Sequence, residues 1–116
     1  LILGAPVNLG SANALTQRFA ERCIGSYYYP WGKRYPVLRD KAKPRNAIIV
    51  SSSAAPAFMN TAAFGSSAIM TLQTIADLLG AEVVETIKVG LVSEREFRVP
   101  ERSLKKARQT AERLAA

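Results

Sequence analysis

The sequence predicts an α/β fold with a parallel sheet and helices packed on its faces, and three observations carry that expectation. Strand-like apolar runs recur at residues 1–5, 47–50 and 82–92. Each is followed by a connection containing Gly, Pro or Ser, and then by apolar residues at helical spacing. The strand, turn and helix order repeats three times, and alternating elements of this kind build parallel sheets with crossover helices.

Leu1 to Ala5 read as the first strand, an apolar run suited to burial on both faces and stopped by Gly4 and Pro6. Ala12, Leu15, Phe19 and Cys23 then fall on one side of a helix that Ser11 or Asn13 could cap and Gly25 could end. Residues 26–45 carry Tyr27, Tyr28, Tyr29, Trp31 and Tyr35 among Pro30, Pro36 and Pro44, with neither helix nor strand period. They form a connection longer than the ~12 to 15 residues common in compact domains, and their aromatic content predicts an ordered loop.

Ala47 to Val50 make the second strand, bounded by Asn46 and by Ser51 to Ser53. A small-residue loop leads to a helix starting near Gly65 to Ser67 and ending at Gly80, with Ile69, Leu72, Ile75, Ala76 and Leu79 on its apolar face. Glu82 to Val92 form the third strand, able to extend or bend at Gly90. Pro100 and Glu101 open a last helix whose apolar stripe is Leu104, Ala107, Ala111 and Leu114. The chain opens on LILGAP with neither an initiator methionine nor a polar lead-in, so one or more strands are expected to precede it in the intact domain.

At 116 residues the chain has the length of one domain, residues 1–116. With 48% hydrophobic residues and a mean hydropathy of +0.02, it has a globular composition. No apolar run approaches the ~20 residues of a membrane span, and a soluble, cytoplasmic protein is the expectation. Histidine is absent and Cys23 is the lone cysteine, which removes disulfides, the usual zinc sets and the histidine-dependent hydrolytic triads. The net charge of +7 favours phosphorylated or polyanionic partners.

In open parallel sheets ligands bind beyond the carboxyl ends of the strands, which singles out residues 6–11 and 51–60. Both segments are made of small and polar residues that would let a flat ring approach backbone amides. The stretch LILGAPVNLGSANALTQRFAER resembles the third strand, flavin loop and following helix of the flavodoxin-like NAD(P)H-dependent FMN reductases, with Phe19 and Arg22 matching that family's helix pattern. AIIVSSSAAPA is similar to the family's fourth strand and second flavin loop, and LGAEVVETIKVG to the approach to its fifth strand.

The resemblance implies a flavodoxin-like three-layer sandwich with a parallel sheet, here an incomplete set of about three strands and three helices. It lacks the family's phosphate-binding loop after the first strand. It implies FMN as cofactor, held by Pro6, Val7, Asn8, Leu9, Gly10 and Ser11 on one side and by Ser51, Ser52, Ser53, Ala54 and Ala55 on the other. The same segments are also readable as plain βα loops whose small residues permit tight turns. The implied activity is hydride transfer from NAD(P)H to FMN, with electrons passed to a small acceptor such as a quinone or flavin. That chemistry needs no protein acid or base, so no catalytic side chain is assigned.

Alternatives of another class are a non-enzymatic flavodoxin-like electron carrier and a cofactor-free basic interaction module. Lys33, Arg34, Arg39, Lys41, Lys43 and Arg45 crowd the long loop. They read first as a solvated or interface loop, second as an attractor of nucleotide phosphates, and third as a nucleic-acid surface, which no recognised motif supports. The family commonly dimerises, and residues 27–35 are the expected contact of a homo-oligomer. Cys23, on an apolar helix face, reads as a small buried hydrophobe without a redox role.

Overall fold

A computed structural model describes residues 1–116. The first strand, β1 (Ile2–Asn8), turns back through Leu9 and Gly10 into the two-residue β2 (Ser11–Ala12). Asn13 caps α1 (Ala14–Arg22), its Oδ1 accepting from the Thr16 amide at 2.9 Å. A 3₁₀ turn over Cys23–Ser26 leads into a small ribbon of β3 (Tyr27–Tyr28) against β4 (Val37–Leu38). Then come β5 (Arg45–Ser52), α2 (Ala68–Leu78), β6 (Ala81–Val89) and α3 (Glu101–Ala115).

The main sheet has the order β2-β1-β5-β6, with β1, β5 and β6 parallel and β2 antiparallel to β1. The fold is therefore α/β, with a mostly parallel four-stranded sheet and three helices. No helix is long and apolar enough to cross a membrane.

Period-two alternation divides the sheet into two faces. Ala5, Ala47, Ile49 and Ser51 are buried beneath α2, whose Ala68, Leu72, Ile75 and Ala76 complete the core. Ile2, Gly4 and Pro6 point the other way and are exposed, with Ile48 and Val50 half-buried beside them. A β-bulge between Ala47 and Ile48 leaves Val84 unopposed and brings Glu85 into register with Ile48.

α3 turns a different side to β6 than its apolar stripe predicts. Leu104, Ala107, Ala111 and Leu114 are exposed, whereas Thr110 is buried and Ser103 half-buried. The cause lies in β6. Lys106 Nζ donates to the Thr86 carbonyl at 2.7 Å and Arg113 Nη2 to the Val84 carbonyl at 3.3 Å. Lys106 also pairs with the Glu85 carboxylate at 2.8 Å. Side-chain cations thus cover backbone carbonyls of β6, an edge strand that would otherwise offer them to another chain.

α1 departs from expectation in the same way. Ala12 is buried, but Leu15 and Phe19 are exposed and Cys23 is half-buried rather than fully enclosed. The long connection is ordered by its own ribbon and projects. Trp31 and Tyr29 are largely solvent-facing, and the Cα radius of gyration of 15.6 Å exceeds the ~13 Å of a compact chain this long.

Candidate functional site

The two small-residue segments lie side by side. Ala5 is in register with Ser51 and Pro6 with Ser52, so the carboxyl ends of β1 and β5 run out together. Pro6, Val7 and Asn8 belong to the strand instead of a loop, and Leu9 and Gly10 form the tip of a tight hairpin that returns through Ser11. Both tip residues are left-handed, Leu9 at φ 51° and Gly10 at φ 77°, as a two-residue hairpin of this twist requires. Gly10 is also held close, because its carbonyl accepts from the Ser67 amide at 2.6 Å at the start of α2.

Leu9 pays for this geometry without any packing return: its side chain is fully exposed. A β-turn position with positive φ costs a leucine on the order of 1–2 kcal/mol. Asn8, Pro6, Ala54 and Ala55 are also exposed, and Ser52 is half-buried.

Ser51 and Ser53 face inward and serve the fold. Ser51 Oγ accepts from Asn60 Nδ2 at 2.9 Å, and Ser66 Oγ donates to Asn60 Oδ1 at 2.8 Å, a buried chain that fixes the loop between β5 and α2. Ser53 Oγ donates to the Ala55 carbonyl at 2.8 Å. The 51–57 segment is further strapped to the end of β6 by Leu91 N to the Ala55 carbonyl and Val92 N to the Ser53 carbonyl, at 3.1 and 3.2 Å. The rim of the site is therefore set by Pro6, Asn8, Leu9, Ser52, Ala54 and Ala55, and the layer behind it by Ser51, Ser53 and Asn60. Asn60 closes the 51–60 segment that the sequence marks, but its buried role is not legible there, because one polar residue in a small-residue loop carries no mark of burial.

The rim contains no ionisable side chain. Its side chains offer methyl, pyrrolidine, amide and hydroxyl groups, none of them an acid or base for catalysis near neutral pH.

The basic loop is largely tied down. Lys43 pairs with Asp77 at 2.6 Å, and this hydrogen bond and charge raise the ammonium pKa above its usual value. Arg45 Nη1 donates to the Leu79 carbonyl at 3.1 Å. Arg39 Nε donates to the Gly25 carbonyl at 3.0 Å and its guanidinium lies 5.5 Å from the Tyr28 ring centroid. These three fasten the loop to the body, leaving Lys33, Arg34 and Lys41 without an ion pair.

Compared with models of protein families and with curated proteins, the sequence matches none.

Proposed function

We propose that the chain is part of a flavodoxin-like FMN-dependent oxidoreductase that accepts a hydride from NAD(P)H and passes electrons to a small acceptor such as a quinone or flavin. The observation that carries the reading is that the carboxyl ends of the parallel strands β1 and β5 are adjacent, in register as far as Pro6 and Ser52, with the small-residue segments 7–11 and 53–55 following them. This is where open α/β sheets take flat ligands.

The rim fits the group. Its residues are small or apolar, and Leu9 holds an exposed side chain in a costly conformation that contact with a ring would offset. FMN supplies the hydride-accepting ring, and the protein orients it. Pro6, Leu9, Ala54 and Ala55 would bear on the isoalloxazine, while the Asn8 amide and Ser52 hydroxyl would hydrogen-bond its polar edge. Ser51, Ser53 and Asn60 keep the 51–57 segment rigid behind them. In the three-layer form of this fold, further structure would cover Ile2, Gly4, Ile48 and Val50.

The test is an absorbance spectrum after FMN is added and the excess removed, followed by anaerobic NADPH. Retained bands near ~450 nm that bleach with NADPH are expected. Bands that persist would instead favour an electron carrier, and absence of retained flavin would sink the reductase assignment.

A further inference from the structure

A concavity adjoins the rim described above on the β6 side. It is a cleft of about 450 Å³ between the free edge of β6, the first turns of α3 and the 3₁₀ turn at Ala57–Met59. Three cations line it, Lys88, Arg102 and Lys106, together with the Ser103 hydroxyl, and no carboxylate does. Lys106 is committed to Glu85 and the Thr86 carbonyl, but Lys88 and Arg102 form no ion pair or side-chain hydrogen bond. Glu101, the nearest acid in sequence, is exposed and lies 3.7 Å from Arg108.

The backbone adds to this charge. α3 begins after Pro100 without a side-chain cap, and its first intrahelical acceptor, the Pro100 carbonyl, is taken by the Ser103 and Leu104 amides. The Glu101 and Arg102 N–H groups are left without a protein acceptor at the positive end of a 15-residue helix. Across the cleft stands Phe58, mostly exposed, its ring held edge-on to Phe64 at a centroid distance of 5.9 Å.

We propose that this cleft binds a small phosphorylated molecule with a flat ring, the phosphate taken by Arg102, Lys88, Ser103 and the first amides of α3, and the ring by Phe58. A phosphate dianion is the match for two unpaired cations and uncapped helix amides in one concavity, because each is a donor and none competes as an acceptor. An exposed aromatic face at the mouth suits a heterocycle. The cleft adjoins the site assigned to FMN through the 54–58 segment, but its cations and helix amides come from β6 and α3, which contribute no residue to that site.

The experiment is an amide NMR titration of the protein with AMP, inorganic phosphate and adenosine in turn. AMP and phosphate are expected to shift the Lys88, Arg102 and Ser103 amides saturably, with AMP the tighter and adenosine without effect at the same concentrations. In the K88Q/R102Q variant, AMP binding should weaken by about tenfold or more. In Phe58→Ala, AMP should weaken while phosphate binding stays unchanged. Cleft amides unmoved by both phosphate-bearing probes in the unmutated protein would overturn the proposal, as would equal AMP affinity in K88Q/R102Q. Phosphate binding as tightly as AMP would overturn the ring contact. AMP carries no isoalloxazine, so its failure to bind would leave flavin retention to be judged on its own spectrum.

Discussion

A Cβ atom on Gly90 would lie 2.2 Å from the backbone nitrogen of Ala57, and 2.8 Å from the Ala55 oxygen and the Pro56 carbonyl carbon. All three neighbours are backbone atoms of the segment that edges the candidate site, so none can rotate away. Gly90→Ala is expected to destabilise the protein by roughly 3 kcal/mol or more, because the strap between residues 53–57 and the end of β6 must lift. Urea unfolding measures this. A midpoint equal to that of the unmutated protein would show that the two backbones are not this close.

Asn60 is the second determinant of the same loop. Asn60→Ala removes both hydrogen bonds of the Ser51–Asn60–Ser66 chain and leaves two buried hydroxyls to find new partners. The expected loss is about 2–4 kcal/mol, combining unsatisfied groups with a cavity. Asn60→Ala in a Ser51→Ala/Ser66→Ala background should cost less than Asn60→Ala alone, since no orphaned hydroxyl remains. Thermal unfolding of these variants distinguishes the buried chain from a simple packing effect.

The sequence pattern located β5, β6, α2 and α3 to within a few residues, since buried β-branched runs and helical spacing are strong local signals. It read the 6–11 segment as a loop where the chain forms a strand and hairpin. Pro6 suggests a break, yet β2 pairs with β1 only at Val7 and Asn8, so Pro6 lies outside that pairing and is tolerated within the strand. The Leu9–Gly10 turn was hidden because leucine is a poor residue for positive φ. The faces of α1 and α3 were misjudged for another reason. Hydropathy ranks Leu104 and Leu15 above Thr110 and Thr16, but tertiary contacts decided otherwise, through Glu85 and the edge carbonyls of β6 in the case of α3. Ser51 to Ser53 mark the carboxyl end of β5, but which of these serines face inward depends on strand parity, and Ser51 and Ser53 are buried while Ser52 is half-buried.

The hairpin tip links stability to the proposed cofactor. Leu9→Asn places a residue tolerant of left-handed backbone before Gly10, and a gain of about 0.5–1 kcal/mol is expected. Under the flavin reading the same change weakens FMN retention, because the exposed leucine is lost from the ring-facing rim. Unfolding curves and a flavin titration on one preparation test both; a variant that is more stable and binds FMN as well as before would remove Leu9 from the site.

Trp31, at the end of the projecting aromatic segment, is the residue through which a homo-oligomer is expected to form. Sedimentation of the unmutated protein should show a dimer that Trp31→Ala weakens by about tenfold or more, as for an exposed aromatic anchor. Trp31→Ala leaves no cavity in the fold, so the unfolding midpoint should stay within about 0.5 kcal/mol of the original. A monomer in both cases would assign the segment no role in self-association.

Glu85 carries the main pH prediction. The Lys106 hydrogen bond lowers the pKa of its carboxyl most, with the Thr86 amide and nearby cations adding to the effect and partial burial opposing it. A carboxyl whose folded pKa lies below its unfolded value adds stability that is complete above the unfolded pKa of about 4.3 and disappears as pH falls through the folded value. Acid should therefore loosen α3 from β6. Lys43 has the opposite sign: its raised ammonium pKa adds stability below about 10.5 that is lost at higher pH, and solvent screening keeps that contribution small at an exposed pair. Unfolding measured between pH 7 and pH 3 should fall less steeply for Glu85→Gln than for the unmutated protein. Lys106→Met should move the Glu85 carboxyl titration, followed by NMR, upward toward its ordinary value. An unchanged titration in Lys106→Met would place the cause of the shift elsewhere and detach α3's position from this ion pair.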